Sequence, residues 1–108
     1  MIKKEKGKQF ELWLLSKIKE FDQKARLSRA SGASNDIGDI VSSYLFVEAK
    51  NWNKENIIMQ KKDWKHLINQ LPINTQKIPI YVFQNKDKEK FVVLNANDFF
   101  RICDGGIK

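Results

Sequence analysis

The stretch Gly38-Asp39-Ile40-Val41-Ser42-Ser43-Tyr44-Leu45-Phe46-Val47-Glu48-Ala49-Lys50 decides how this chain is read. Two short runs, 38–41 and 44–50, rich in β-branched and aromatic residues, are separated by Ser42-Ser43, the pattern of an antiparallel hairpin. Side chains alternate along a strand, so Glu48 and Lys50 share one face. A turn centred between Ser43 and Tyr44 sets Asp39 directly opposite Glu48, where cross-strand Cβ atoms lie about 4.5–5.5 Å apart. A turn centred one residue earlier leaves Asp39 diagonal to Glu48 on the same face, whereas a three-residue loop turns it to the other. Ionised carboxylates at that spacing repel each other. The compensation is a raised pKa, the Lys50 ammonium or a divalent cation. Oxygen donors without His or Cys suit Mg²⁺ or Mn²⁺. A Lys50–Asp39 salt bridge on a solvent-facing sheet is the plainer alternative.

Toward the amino end, residues 1–8 form a basic segment expected to be a mobile arm, with a single domain over 9–108. Phe10, Leu14, Ile18 and Phe21 recur at helical spacing and predict a helix from about Lys8 to Phe21. On that helix Glu11 falls about 20° from Ile18, inside the apolar stripe, where an unpaired carboxylate is costly. It either snorkels to water at the helix edge or is a third acid aimed at the place where Asp39 and Glu48 meet. Lys24–Leu27 reads as a short strand and Ser28–Asn35 as a loop.

Toward the carboxyl end, Asn51–Asn56 is polar and loop-like. Trp64, Leu67, Ile68 and Leu71 predict a helix over Lys61–Leu71, with Pro72 just past it. Ile78–Phe83 and Phe91–Leu94 are further strands joined by the charged stretch Asn85–Lys90. Asn97 is placed to cap a last helix through Ile102, stopped by Gly105-Gly106. The predicted order, α-β-β-β-α-β-β-α, implies an α/β domain with a mixed central sheet flanked by helices.

A chain of 108 residues has room for one core. Twenty Lys and Arg against 13 Asp and Glu give a net charge of +7, which favours a polyanionic partner unless lysine is serving only as a solubiliser. One Cys and one His exclude an internal disulfide and a structural zinc site. No apolar run has the length of a membrane span and the first residues lack a signal-peptide pattern, so a cytoplasmic protein without a membrane partner is expected.

The constellation resembles the PD-(D/E)XK nuclease superfamily: a helical Glu11, then Gly38-Asp39-Ile40, then Val47-Glu48-Ala49-Lys50. Within it the chain is most similar to the archaeal-type Holliday junction resolvases and their phage relatives, whose Ser-Gly loop is matched by Arg29-Ala30-Ser31-Gly32-Ala33-Ser34. The resemblance covers roughly residues 7–84. Gly38 stands where the superfamily's nominal Pro would be, and Arg26 and Arg29 straddle the place of the family's upstream Arg. Gln60 is too loosely spaced to assign to the Gln that often follows the Lys. The short Val41–Phe46 segment fits the phage branch better.

The resemblance implies a restriction-endonuclease-like α-β-β-β-α-β core acting as a Mg²⁺-dependent (or Mn²⁺-dependent) junction-resolving endonuclease. Asp39, Glu48 and Glu11 would hold one or two ions together with the Ala49 carbonyl. Lys50 would orient the attacking water, and Ser31 would contact the backbone or help place the metal. The products implied are 5′-phosphate and 3′-hydroxyl ends. A catalytically silent nucleic-acid-binding module of the same fold, or a nuclease acting on flaps or duplex, are the alternatives.

Lys3, Lys4, Lys6 and Lys8, joined by Arg26, Arg29, Lys61 and Lys62, are the phosphate-binding candidates, with Ser31 and Gly32 on the loop. Trp52 either stacks on a base or sugar or serves as a lid on the core. Trp13 and Trp64 are expected in the core, while His66 is expected near the surface without a relay partner. Cys103 is read as a core or semi-exposed residue rather than a nucleophile, and Lys86-Asp87-Lys88-Glu89-Lys90 as a solvated hairpin tip. A homodimer presenting two sites to a two-fold junction is expected, with Ile57, Ile58, Met59, Phe99, Phe100 and Ile102 as apolar contact candidates.

Overall fold

The computed structural model describes residues 2–28 and 39–105, with side chains from Lys8 onward. The elements run α1 (Ile2–Ile18), β1 (Arg26–Leu27), β2 (Ile40–Val41), β3 (Leu45–Asn51), α2 (Lys61–Asn69), β4 (Ile78–Gln84), β5 (Lys90–Val93) and α3 (Ala96–Cys103). This is the order read from the sequence. The five strands form one mixed sheet in the order β1-β2-β3-β4-β5, antiparallel except for the β3–β4 pair. The β3–β4 crossover carries α2, as parallel neighbours require a long connection.

The sheet is covered on both faces. Phe10, Leu14 and Ile18 of α1 pack with Leu45, Val47, Ile80 and Val82 on one face, where Leu94 and Ile102 of the carboxyl-terminal segment also settle. Leu67 of α2 packs with Phe46, Tyr81 and Phe83 on the other. β4 lies between the two layers, and all seven of its residues are buried. Full burial of such aliphatic and aromatic side chains is worth about 1.5–3 kcal/mol each. Pro79 is tolerated in this central strand for a geometric reason. The Ile78 N–H donates to the Tyr44 carbonyl, so the next nitrogen faces the β5 side, where pairing starts only at Tyr81.

Of the boundaries that differ from the sequence reading, three change where residues are placed. α1 starts at Ile2, so the segment expected as a mobile arm is helical from that residue. Its straight-chain residues Lys3, Lys4, Glu5 and Lys6 carry good helix propensity but no apolar periodicity to betray it. The same helix stops at Ile18, which leaves Phe21 exposed against Tyr44 instead of in the core. The stop is fixed by Asp22, buried beyond the turn. Its Oδ2 accepts from Ser42 Oγ (2.7 Å) and the Ser43 N–H (2.6 Å), tying the end of α1 to the β2–β3 turn. Burial pushes this carboxyl up, but its hydrogen bonds from Ser42, Ser43 and the Lys24 backbone outweigh that and hold it below the ordinary carboxylate range. Finally, Asn95 caps α3 by accepting from the Asn97 N–H (2.9 Å), two residues before the expected cap.

Candidate active site

The β2–β3 register pairs Ile40 with Val47 and Val41 with Phe46. Carried one residue further, it sets Asp39 opposite Glu48, the first of the registers considered from the sequence. β2 is only two residues long, so at Asp39 the chain is leaving the sheet. Asp39 holds on through two contacts that flank Glu48. Its N–H donates to the Val47 carbonyl (2.8 Å), and its Oδ2 accepts from the Ala49 N–H (2.6 Å). Strand alternation puts Glu48 and Lys50 on the face of Phe46, where they lie in register with Tyr81 and Phe83 of β4.

All three acids singled out from the sequence are half-buried. Burial and the neighbouring Asp39 push the Glu48 carboxyl up to about 7. Burial raises Asp39, against the opposing pull of its hydrogen bond from Ala49. Glu11 is raised by burial and by Asp39, with Lys8 acting the other way. Asp39 therefore acts on both other acids, one from each side.

The Lys50–Asp39 salt bridge is not formed. Lys50 Nζ instead lies over the Trp52 ring, 4.7 Å from its centroid. Among the described residues, ion pairs are made by Lys17 with Glu20 and by Arg101 with Asp98, and none involves Glu11, Asp39 or Glu48.

Half-buried carboxylates, with Asp39 raising both Glu48 and Glu11 and no ion pair made by any of the three among the described residues, have the donor chemistry of a divalent-cation site. Their placement is looser than a closed site. Among the described residues no group of three or more His, Cys, Asp or Glu side chains stands close enough to hold one ion. Glu11, Asp39 and Glu48 do not form such a group here. α1 approaches from the face opposite Glu48, and the Asp39 carboxylate is turned toward the Ala49 N–H. Two oxygens, from Asp39 and Glu48, remain the natural pair.

Tyr81 was missed by sequence reading. Burial raises its hydroxyl, and so do the charges of Glu48, Asp63 and Asp39 around it. Only the parallel β3–β4 register places it beside Glu48, and a single sequence does not contain that register. Asp63 itself is structural, its Oδ2 accepting from the Gln60 N–H (3.1 Å) at the start of α2.

The phosphate-binding candidates divide three ways. Arg29, Ser31 and Gly32 lie outside the described residues, while Lys3, Lys4 and Lys6 lie on the first turns of α1. Lys8, Lys61 and Lys62 are exposed, and half-buried Arg26 donates to the Leu27 carbonyl. His66 is exposed, as expected, and Cys103 is an exposed free thiol. Trp64 packs on the α2-side core. Trp52 does so too, edge-on to Phe83, with its Nε1–H buried and lacking a partner among the described residues.

Trp13 is not in the core. It is 39% exposed, with Lys90 Nζ 4.7 Å and Lys17 Nζ 5.9 Å from its ring centroid. It turns outward while Leu14 turns in, so the two adjacent residues lie on different sides of the helix. Of the apolar contact candidates, Ile57, Met59 and Ile102 complete the two cores, and Ile58, Phe99 and Phe100 stay exposed. No helix among the described residues is long and apolar enough to cross a membrane.

Compared with protein-family models, with curated proteins and with solved structures, the chain matches none.

Proposed function

We propose that the protein is a metal-dependent, structure-selective DNA endonuclease, in first place a Holliday junction resolvase working as a homodimer. The observation that supports this most is the hairpin: Asp39 opposite Glu48, Lys50 two residues on, and both acids raised without a cationic partner among the described residues. Asp39 and Glu48 would hold Mg²⁺ or Mn²⁺, with Glu11 drawn in from α1 and the Ala49 carbonyl adjacent. A bound ion supplies Lewis-acid polarisation of the scissile phosphate and a water of lowered pKa. Lys50, exposed and over Trp52, would swing from the indole to the phosphate and neutralise charge building on its oxygens. The Asp39–Ala49 hydrogen bond keeps one carboxylate oriented when no ion is there, which limits the reorganisation that binding demands.

A second reading, a silent nucleic-acid-binding module, is favoured by one observation: the acids do not gather as a group of three among the described residues. Incubating four-way junction, flap and plain duplex DNA with the protein and Mg²⁺, then analysing the ends, separates the possibilities. A resolvase nicks the junction in symmetric pairs and leaves 5′-phosphates. Preference for a flap or duplex moves the assignment to another nuclease, and binding without nicking leaves the silent module.

A further inference from the structure

The run Lys86-Asp87-Lys88-Glu89-Lys90 reads in sequence as a solvated tip, yet the fold sorts its charges. A groove of ≈ 650 Å³ opens between α1 and the carboxyl ends of β3 and β4, and Lys86, Lys88 and Lys90 all line it. Asp87 and Glu89 do not. The sorting is built by Asn85, which is 3% exposed. Its Oδ1 accepts from the Asp87 N–H (3.0 Å) and the Glu89 N–H (2.9 Å), while its Nδ2 donates to Glu89 Oε1 (2.9 Å) and the Glu55 carbonyl (3.0 Å). The acid at 89 is thereby pinned by its own turn. Lys88 occupies the turn's left-handed position at φ 63, where Gly or Asn would be the relaxed choice.

The remaining wall has a consistent chemistry. Exposed Gln9 and Asn51 bring carboxamides, Asn51 held by the buried Gln84 whose Nε2 donates to its Oδ1 (3.2 Å), and the rims are two indoles, Trp13 and Trp52, each under a lysine. Lysines for phosphates, aromatic faces for bases and amides for base edges, with no acid in the lining, make the combination that single nucleic-acid strands select. The groove also begins where the candidate site ends, because Lys50 covers the Trp52 that walls it.

We propose that this groove is a binding site for a single, unpaired DNA strand, gripped at its phosphates by Lys86, Lys88 and Lys90 and stacked against Trp13. For its DNA partner the proposal rests on the function proposed above, but it does not require cleavage.

The test is binding of a fluorescent dT oligomer in EDTA, as a function of salt. The proteins compared are wild type, the triple variant Lys86→Gln/Lys88→Gln/Lys90→Gln, and a control of equal charge loss off the groove, Lys19→Gln/Lys24→Gln/Lys77→Gln. The groove triple is expected to bind at least tenfold more weakly, with the salt slope reduced by about 2, since each lost single-strand phosphate contact removes about 0.7. The control is expected to bind as wild type does, and Trp13→Ala to weaken binding more than Trp13→Phe. Equal losses in the two triple variants would reduce the effect to net charge and overturn the proposal, as would unchanged binding in the groove triple. Wild-type binding of thymidine monophosphate as tight as that of the oligomer would make the groove a nucleotide site and also overturn it. Because the assay contains no metal, a protein that binds through the groove but never cuts would remove the nuclease reading and leave this one standing.

Discussion

Asp39 accepts a 2.6 Å hydrogen bond from the Ala49 N–H, so the carboxylate at the centre of the candidate site also closes the open end of the β2–β3 hairpin. The two roles separate by substitution. Asp39→Asn keeps an acceptor and is expected to fold nearly as wild type while losing cleavage. Asp39→Ala leaves a part-buried N–H unsatisfied and is expected to cost about 1–2 kcal/mol as well. Thermal melting beside a cleavage assay checks both; equal melting of the two variants would deny the hydrogen bond its structural role.

Glu48 sets a pH dependence of definite sign. Its ordinary pKa is 4.5 and in the fold it rises to about 7, so the native state binds the extra proton between those values. Without metal, the contribution of Glu48 to stability is therefore fullest below pH 4.5 and is lost as pH rises through about 7. Chemical denaturation in EDTA across that window is expected to show the decline in wild type and a flatter profile in Glu48→Gln.

Asp22 works in the opposite direction. Its carboxyl is held low by Ser42 and Ser43, so its contribution is present above the unfolded carboxylate range and disappears as pH falls through the lowered value. Asp22→Ala removes a buried, charge-assisted set of hydrogen bonds and is expected to lose about 2 kcal/mol at neutral pH. Urea denaturation measures it, and a variant within experimental error of wild type would contradict the assigned role.

Metal should act through the same carboxylates. An ion bound only by the native state raises the melting temperature with its concentration. Millimolar Mg²⁺ or Mn²⁺ is expected to raise it at pH 8 in wild type and to leave Asp39→Asn and Glu48→Gln unmoved. A rise of equal size in all three proteins would place the ion elsewhere.

The proposed homodimer has fewer apolar residues to use than the sequence offered. With Ile57, Met59 and Ile102 drawn into the cores, Ile58, Phe99 and Phe100 are the exposed ones, Phe100 at 66%. Sedimentation at micromolar concentration is expected to show a two-chain species that Phe100→Asp shifts to one chain. A single-chain species with and without junction DNA would remove the paired-cut resolvase.

The element order was legible because alternation and helical spacing report which side of an element is buried, whereas the hairpin register is one of three the sequence left open. Phe46, Val47 and Leu67 carry the burial signal. Glu11 inside the stripe of α1 was legible for the same reason, and its raised pKa agrees with the position. The start of α1 was not, since Lys3, Lys4 and Lys6 favour helix through propensity alone. Trp13 misled because an aromatic beside Leu14 looks like core, and only its lysine neighbours show otherwise. Tyr81 and the lysines of the β4–β5 tip depend on which strands and helices become neighbours, a non-local fact.

The most direct test of the central claim is nicking of a four-way junction by wild type and Glu48→Ala, each with Mg²⁺ and with EDTA. Paired nicks are expected from wild type in Mg²⁺ alone, and none from Glu48→Ala although it still binds the junction. Wild type and Glu48→Ala behaving identically in both conditions would contradict the claim.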